Sequence, residues 1–147
     1  MHIVSQSVED TQKAAEKLAH TLVVAMPGKT AATIVALRGD LGAGKTTFTQ
    51  GFAHGLHVVE TPKSPTFNLV KQYAIPGTEY SLWHMDCYRL TDHRDLIALD
   101  LHTAFTNPHN LILIEWPERI SDGLPRDHIE VHLTHEGPQK RGMTITP

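Results

Sequence analysis

The spacing of apolar residues changes character several times along the chain, and each change marks an element. Val8, Ala15, Leu18 and Leu22 recur on one helical stripe behind Ser7, whose hydroxyl can cap the helix, and the pattern stops near Pro27-Gly28. Thr33-Ile-Val-Ala-Leu-Arg38 is a β-type apolar run. After a glycine-rich stretch, Thr47, Phe48, Phe52, Ala53 and Leu56 fall on one face of a second helix, with Gly55 as its expected stop. Residues 57 to 66, with Pro62 and Pro65, read as a loop, and Phe67 to Ile75 as a strand. Pro76-Gly77 is a turn signal and Tyr80 to Asp86 runs back, so these two strands form an antiparallel hairpin. A helix is expected from Arg94 to Phe105, with Leu96, Leu99 and Thr103 on one face and Asn107-Pro108 ending it. Leu111 to Ile114 is apolar at every position, as strands in the centre of covered sheets are, and it closes in Glu115. Ile129 to Leu133 and Met143 to Thr146 alternate as two last short strands around Gly137-Pro138. With no linker, repeat or low-complexity segment, residues 1–147 read as one α/β domain, a mixed parallel and antiparallel sheet flanked by helices.

The stretch between the first strand and the second helix carries the chemistry. Gly39-Asp-Leu-Gly-Ala-Gly-Lys-Thr46 fits G-x-x-x-x-G-K-[ST] at every fixed position, and it lies between strand and helix as a phosphate-binding loop must. The glycines let backbone N–H groups turn inward around a triphosphate. Lys45 adds a point charge at the β and γ oxygens, and the Thr46 hydroxyl is placed to ligate Mg²⁺.

Charge and size narrow what such a loop serves. The chain has 147 residues, 13 Lys and Arg against 16 Asp and Glu, and a net charge of −3. That balance does not supply the basic footprint of an autonomous nucleic-acid binder, so any RNA is expected to be held by a partner. The apolar runs are far shorter than the ~20 residues of a membrane span, and the N-terminus lacks a secretory pattern, which makes the cytosol the expected compartment. The single cysteine, Cys87, has no cysteine neighbour for a disulfide or a zinc site and reads as a small apolar residue.

A phosphate-binding loop needs an acidic partner for its metal at the end of a neighbouring strand. Two residues fit, Glu115 after the apolar strand and Asp86 at the end of the strand from Tyr80. Thr66, in Ser64-Pro-Thr-Phe67, occupies a proline-bounded loop where nucleotide switch segments place a γ-phosphate-sensing threonine. His84 stands two residues before Asp86 on one strand face and is expected to pair with it. His128, His132 and His135 sit on a strand and turn and do not make a zinc site. His93-Arg94-Asp95 echoes a protein-kinase triplet by coincidence, since the chain is too short for that domain. Trp116 either borders the nucleotide or packs into the core.

Taken in order, Gly39 to Thr47, Ser64-Pro-Thr-Phe67, His84-Met-Asp-Cys-Tyr-Arg-Leu90 and Leu113-Ile-Glu-Trp-Pro-Glu-Arg119 resemble the TsaE (YjeE) family of bacterial P-loop ATPases over nearly the whole chain. The resemblance implies an ATP- and Mg²⁺-dependent ATPase needed for threonylcarbamoyl modification of the adenosine beside the anticodon in tRNAs that read codons starting with A. It further implies that the protein works with TsaB and TsaD and meets tRNA only through that complex. By the same resemblance Gly42, Ala43, Gly44, Lys45, Thr46 and Thr47 hold phosphates, Thr46 and Glu115 hold Mg²⁺, and Asp86 organises the catalytic site. Thr11 and Arg141 match family positions near the nucleotide. Cys87 departs from the larger residue, often leucine, that family members carry. The rival readings are a small P-loop kinase, for which the 32 residues after Glu115 leave no room for a lid, and a nucleotide-gated adaptor without productive turnover. A GTPase is excluded by the lack of an Asn-Lys-x-Asp segment.

Overall fold

The structure, a computed structural model, describes residues 1–60 and 69–147. Seven strands form one sheet in the order β1 (His2–Ser5), β7 (Arg141–Thr146), β6 (Ile129–His135), β2 (Thr33–Arg38), β5 (Asn110–Glu115), β4 (Ser81–Asp86) and β3 (Val70–Ala74). The four central strands, β6, β2, β5 and β4, run parallel, and β3, β7 and β1 pair antiparallel at the flanks. Strand β2 therefore enters the phosphate-binding loop from the middle of the sheet, with β5 as its parallel neighbour. Both faces of β5 are covered, which is why Leu111 to Ile114 carry no polar side chain.

Side-chain alternation divides the core in two. Val35, Leu37, Leu111 and Leu113 point toward α1 (Val8–Ala25) and α2 (Lys45–Gly55), where Phe48 and Phe52 stack at 6.0 Å between centroids. Ile34, Ile112 and Ile114 point the other way, toward α3 (Arg94–Ala98) and two 3₁₀ segments, His102–Thr106 and Pro117–Gly123. All the acidic residues singled out on β4 and β5 lie on the α2 side.

Three details depart from the sequence pattern. The short edge strand β1 has no counterpart in it, because four residues are too few to show a period. In α1 the fully buried stripe is Thr11, Ala15 and Ala19, while Val8 is exposed and Leu18 and Leu22 are only partly covered. The reason is on the partner helix. A Cβ on Gly51 would come within 2.5 Å of the Gln12 carbonyl oxygen, and one on Gly55 within 2.7 Å of Glu16 Cα, so α1 crosses α2 at backbone contact and only small residues fit between them. Gly55 is thus a packing residue as well as the last residue of α2, where the sequence placed the stop. The chain leaves the helix through Leu56 and His57, the latter at φ 61°, with the bonds Val58 N–H to Ala53 O and His57 N–H to His54 O.

The same terminator breaks the helix expected over 94–105. Asp100 takes φ 58°, Leu101 N–H reaches Leu96 O and Asp100 N–H reaches Ile97 O, so α3 ends at Ala98 and a 3₁₀ turn follows. Leu96 is buried as expected, but Leu99 is left half exposed.

The helix crossing is open to a direct test. Gly51→Ala adds about 1 kcal/mol of helix propensity, and overpacking against main chain that cannot swing aside costs about 1–3 kcal/mol. The expected result is a net loss of up to about 2 kcal/mol in urea unfolding, with the m-value unchanged. A midpoint at or above that of the parent would show that the crossing relaxes freely.

Candidate functional site

Gly42 at φ 81° and Gly44 at φ 102° hold the left-handed conformations that let successive N–H groups of the loop face inward, a path that any Cβ would strain. Gly44 is the N-cap of α2 and makes no side-chain cap, so the free N–H groups and positive end of the helix dipole face the loop. Thr46 is exposed in the first turn of α2 and Thr47 is half-buried beside it. The loop and helix end make a cradle for a polyphosphate.

Lys45 is only 7% exposed. Its Nζ donates to the Gly39 carbonyl at 2.6 Å and stands 3.7 Å from the centroid of the Trp116 ring. Burial pulls its pKa below the ordinary lysine value, and the carboxylates of Glu115, Glu118, Asp86 and Asp40 push back in the opposite sense. One ammonium group faces four carboxylates. Trp116 itself adopts φ 56°, a conformation that costs a bulky residue about 1–3 kcal/mol and that turns the chain from β5 into the Pro117 segment. Its ring lies 5.0 Å from that of Tyr88, so it packs at the loop and against the second core at once.

The parallel pairing of β4 and β5 sets Asp86 level with Glu115, and β2 sets Leu37 level with both, just before the loop. Glu115 is buried, 5% exposed, and its Oε2 lies 2.5 Å from His84 Nε2. His84 is therefore paired with Glu115 on the neighbouring strand and not with Asp86 on its own. Asp86 is half-buried, and its Oδ1 accepts the Tyr88 N–H at 3.0 Å. The donor set near the loop is one exposed threonine hydroxyl and aligned carboxylates, all hard oxygen ligands, and it carries more negative charge than Lys45 balances. Such a set fits Mg²⁺ bound together with phosphate oxygens.

On the other side of the loop a cleft of about 240 Å³ is lined by Ser7, Glu9, Thr11, Gly44, Thr47 and Arg141, among others. The structure thus brings Thr11 and Arg141 together at the loop, although they lie 130 positions apart in the chain. Arg141 is the first residue of β7, and a Cβ on Gly44 would stand 3.6 Å from its Nε. Thr11 is buried, its N–H donates to the Ser7 carbonyl and its hydroxyl lies 2.7 Å from Ser5 Oγ, which ties the start of α1 to β1 beside the cleft. Thr66 lies outside the described residues.

Cys87 is fully buried, and burial, with Asp86 and Glu118 nearby, pushes its thiol up to about 12. It acts as an apolar core residue beneath Asp86, packed in the cluster that contains Met85, Leu90 and Leu96. Among the described residues no group of three or more His, Cys, Asp or Glu could hold a metal on its own, so the zinc reading of the histidines has no support. No described helix is long and apolar enough to cross a membrane.

The signals that the sequence hid are geometric. Glu118 and Asp40 join the ring of carboxylates around Lys45, and His84 reaches Glu115, through turns whose path no periodicity reveals. Arg38 at the end of β2 forms a bidentate pair with Glu130, at 2.6 and 3.0 Å, and reaches Glu118 at 3.5 Å, tying the Pro117 segment to the sheet.

Comparison with known proteins gives a consistent result. The model of the family described as threonylcarbamoyl adenosine biosynthesis protein TsaE matches residues 5–143. The tRNA threonylcarbamoyladenosine biosynthesis protein TsaE of Bacillus subtilis (strain 168) is 37% identical over 137 residues, 91% of this chain and 78% of the relative. Its counterpart in Rickettsia bellii (strain RML369-C) is 38% identical over 144 residues, 97% of this chain and 92% of the relative. Among solved structures, the crystal structure of Bacillus subtilis YdiB superposes with a TM-score of 0.72 at 30% identity, covering 99% of this chain and 83% of that one. A phosphate-binding loop on a mixed seven-stranded sheet, matched along nearly its whole length in sequence and in fold, makes this chain a member of the TsaE family of tRNA threonylcarbamoyladenosine biosynthesis proteins.

Proposed function

We propose that the chain is a single-domain, Mg²⁺-dependent ATPase of the cytoplasm whose hydrolysis drives turnover of the TsaB–TsaD pair during threonylcarbamoyl modification of tRNA. The observation that carries the reading is the alignment of Glu115 and Asp86, on neighbouring parallel strands, opposite Lys45 of the phosphate-binding loop.

In this reading the N–H groups from Gly42 to Thr47 bind the phosphates, and Arg141 and Thr11 border the remainder of the nucleotide. Lys45 exchanges the Gly39 carbonyl and the Trp116 face for phosphate oxygens, a move within reach of its four-carbon stem. Thr46 and Glu115 would hold Mg²⁺, and Asp86 would orient the water or the metal's own water shell. Held by Thr46 and Glu115, Mg²⁺ would supply positive charge against the negative charge that develops on the phosphate oxygens during transfer. Trp116 and the Pro117 segment cover Lys45 and keep bulk water from it.

With Glu118 reached by Arg38, the carboxylates of Glu115, Asp86 and Asp40 still outnumber Lys45, and no arginine finger is evident there among the described residues. Hydrolysis by the lone protein is therefore expected to be slow and to rise when partners complete the site. With a net charge of −3, free tRNA is expected to bind weakly at physiological salt. The test measures turnover of ATP and of modified tRNA with the chain alone, with TsaB–TsaD, and with Glu115→Ala in place of the parent. Slow turnover alone and at least tenfold activation by the partners is the expected outcome. A fast ATPase in isolation, or repeated rounds of modification sustained by the hydrolysis-dead variant, would favour the adaptor reading.

A further inference from the structure

His84 is one of the most enclosed polar residues of the chain, 1% exposed, and the functional reading above gives it no task. It comes from β4, the outermost of the four parallel strands, and reaches diagonally across the ladder to Glu115. Burying a carboxylate without a partner costs several kcal/mol. Nothing else among the described residues hydrogen-bonds to this one.

The other ring nitrogen fixes the direction of the bond. His84 Nδ1 is buried and has no hydrogen-bond partner among the described residues. A buried N–H without an acceptor is more costly than a bare lone pair, so the hydrogen belongs on Nε2 and the ring donates to Glu115 Oε2. One of the two acceptor sites of Oε2 is then taken, and the carboxylate cannot rotate freely about its last bond. Oε1 is the oxygen with both acceptor sites open to a ligand.

From this geometry we infer that His84 is a positioning residue, which clamps Glu115 through Oε2 so that the carboxylate meets the metal through Oε1 alone. A clamped, one-oxygen carboxylate leaves Mg²⁺ its preferred octahedral shell of separate oxygens, whereas a free one can swing to chelate or turn away. The inference rests on the assignment of Glu115 as a metal ligand. It adds how that ligand is held.

Side-chain geometry supplies the test. Glutamine can place an N–H donor where histidine has Nε2, asparagine can place one only near Nδ1, and leucine has none. The readout is the gain in ATP affinity that Mg²⁺ brings, measured by calorimetric titration with and without Mg²⁺, alongside the Mg²⁺ concentration that half-saturates turnover. Loss of an outer hydrogen bond to a metal ligand typically costs about 10–100-fold in metal affinity. His84→Asn and His84→Leu are therefore expected to raise the half-saturating Mg²⁺ by about 10–100-fold while binding metal-free ATP like the parent, and His84→Gln is expected to restore most of the response. The Asn and Gln variants keep the comparison decisive should the Leu variant not fold. Equal Mg²⁺ responses in all folded variants, or equal losses in Gln and Asn, would overturn the clamp and leave His84 as core packing. Glu115→Gln is run in parallel. If it too keeps the parent's Mg²⁺ response, the metal-ligand assignment itself fails, and if it alone loses the response, only the clamp does.

Discussion

Lys45→Ala is expected to weaken ATP binding roughly 10- to 150-fold, the equivalent of the 1.5–3 kcal/mol carried by a hydrogen bond to a charged group. Two features of the site shape the size of that loss. In the free protein Lys45 already spends its donor on the Gly39 carbonyl and its charge on the Trp116 face, so part of what it contributes to the complex offsets contacts given up on the way. Its removal also takes away an ammonium group whose charge Glu115, Glu118, Asp86 and Asp40 all feel. Those carboxylates then repel the incoming triphosphate. The weakening should therefore be larger without Mg²⁺ than with it, because the metal can partly replace the lost charge. Calorimetric titrations in the two conditions measure both numbers. A variant that binds ATP as tightly as the parent would remove the phosphate-binding role of the loop.

The sequence carried the loop and its acidic partners because both depend on local rules. A strand, a glycine-rich turn and a helix are contiguous, and Glu115 announces itself by ending a run of apolar residues on a strand buried on both faces. The antiparallel return of β4 from β3 was legible from Pro76-Gly77, since turn chemistry is also local. The missed features need distant residues or a backbone conformation that residue type does not favour. Asp100 and Trp116 take positive φ without being glycine, so the end of α3 at Ala98 and the turn after β5 left no mark in the pattern, whereas Gly55 marked the end of α2. Gly55 was visible as a glycine, but its purpose lies across the crossing at Glu16. The pairing of His84 with Glu115 over Asp86 depends on strand order, which alternation along a single strand does not contain.

Glu115→Ala and Asp86→Ala are each expected to lower ATP turnover at least tenfold and up to about 1,000-fold, the range seen when one preorganised contact to a transition state is removed. The two should differ in kind. Glu115 is buried between β2 and β4 and bonded to His84, so its truncation leaves a buried imidazole with no acceptor and a cavity beside Leu37 and Leu113. A loss of folding stability of about 1–3 kcal/mol should accompany its kinetic defect. Asp86 is half-buried at the strand end with its Oδ1 on the Tyr88 N–H, so removing it chiefly loosens the turn that follows β4. If Glu115 is the direct metal ligand, its variant alone shifts the Mg²⁺ dependence, whereas Asp86→Ala lowers the rate at saturating Mg²⁺ with little shift. Turnover measured across a Mg²⁺ series, on variants shown by circular dichroism to be folded, separates the two roles. Reversed Mg²⁺ responses would exchange them, and unchanged turnover in both folded variants would place the acidic centre elsewhere in the chain.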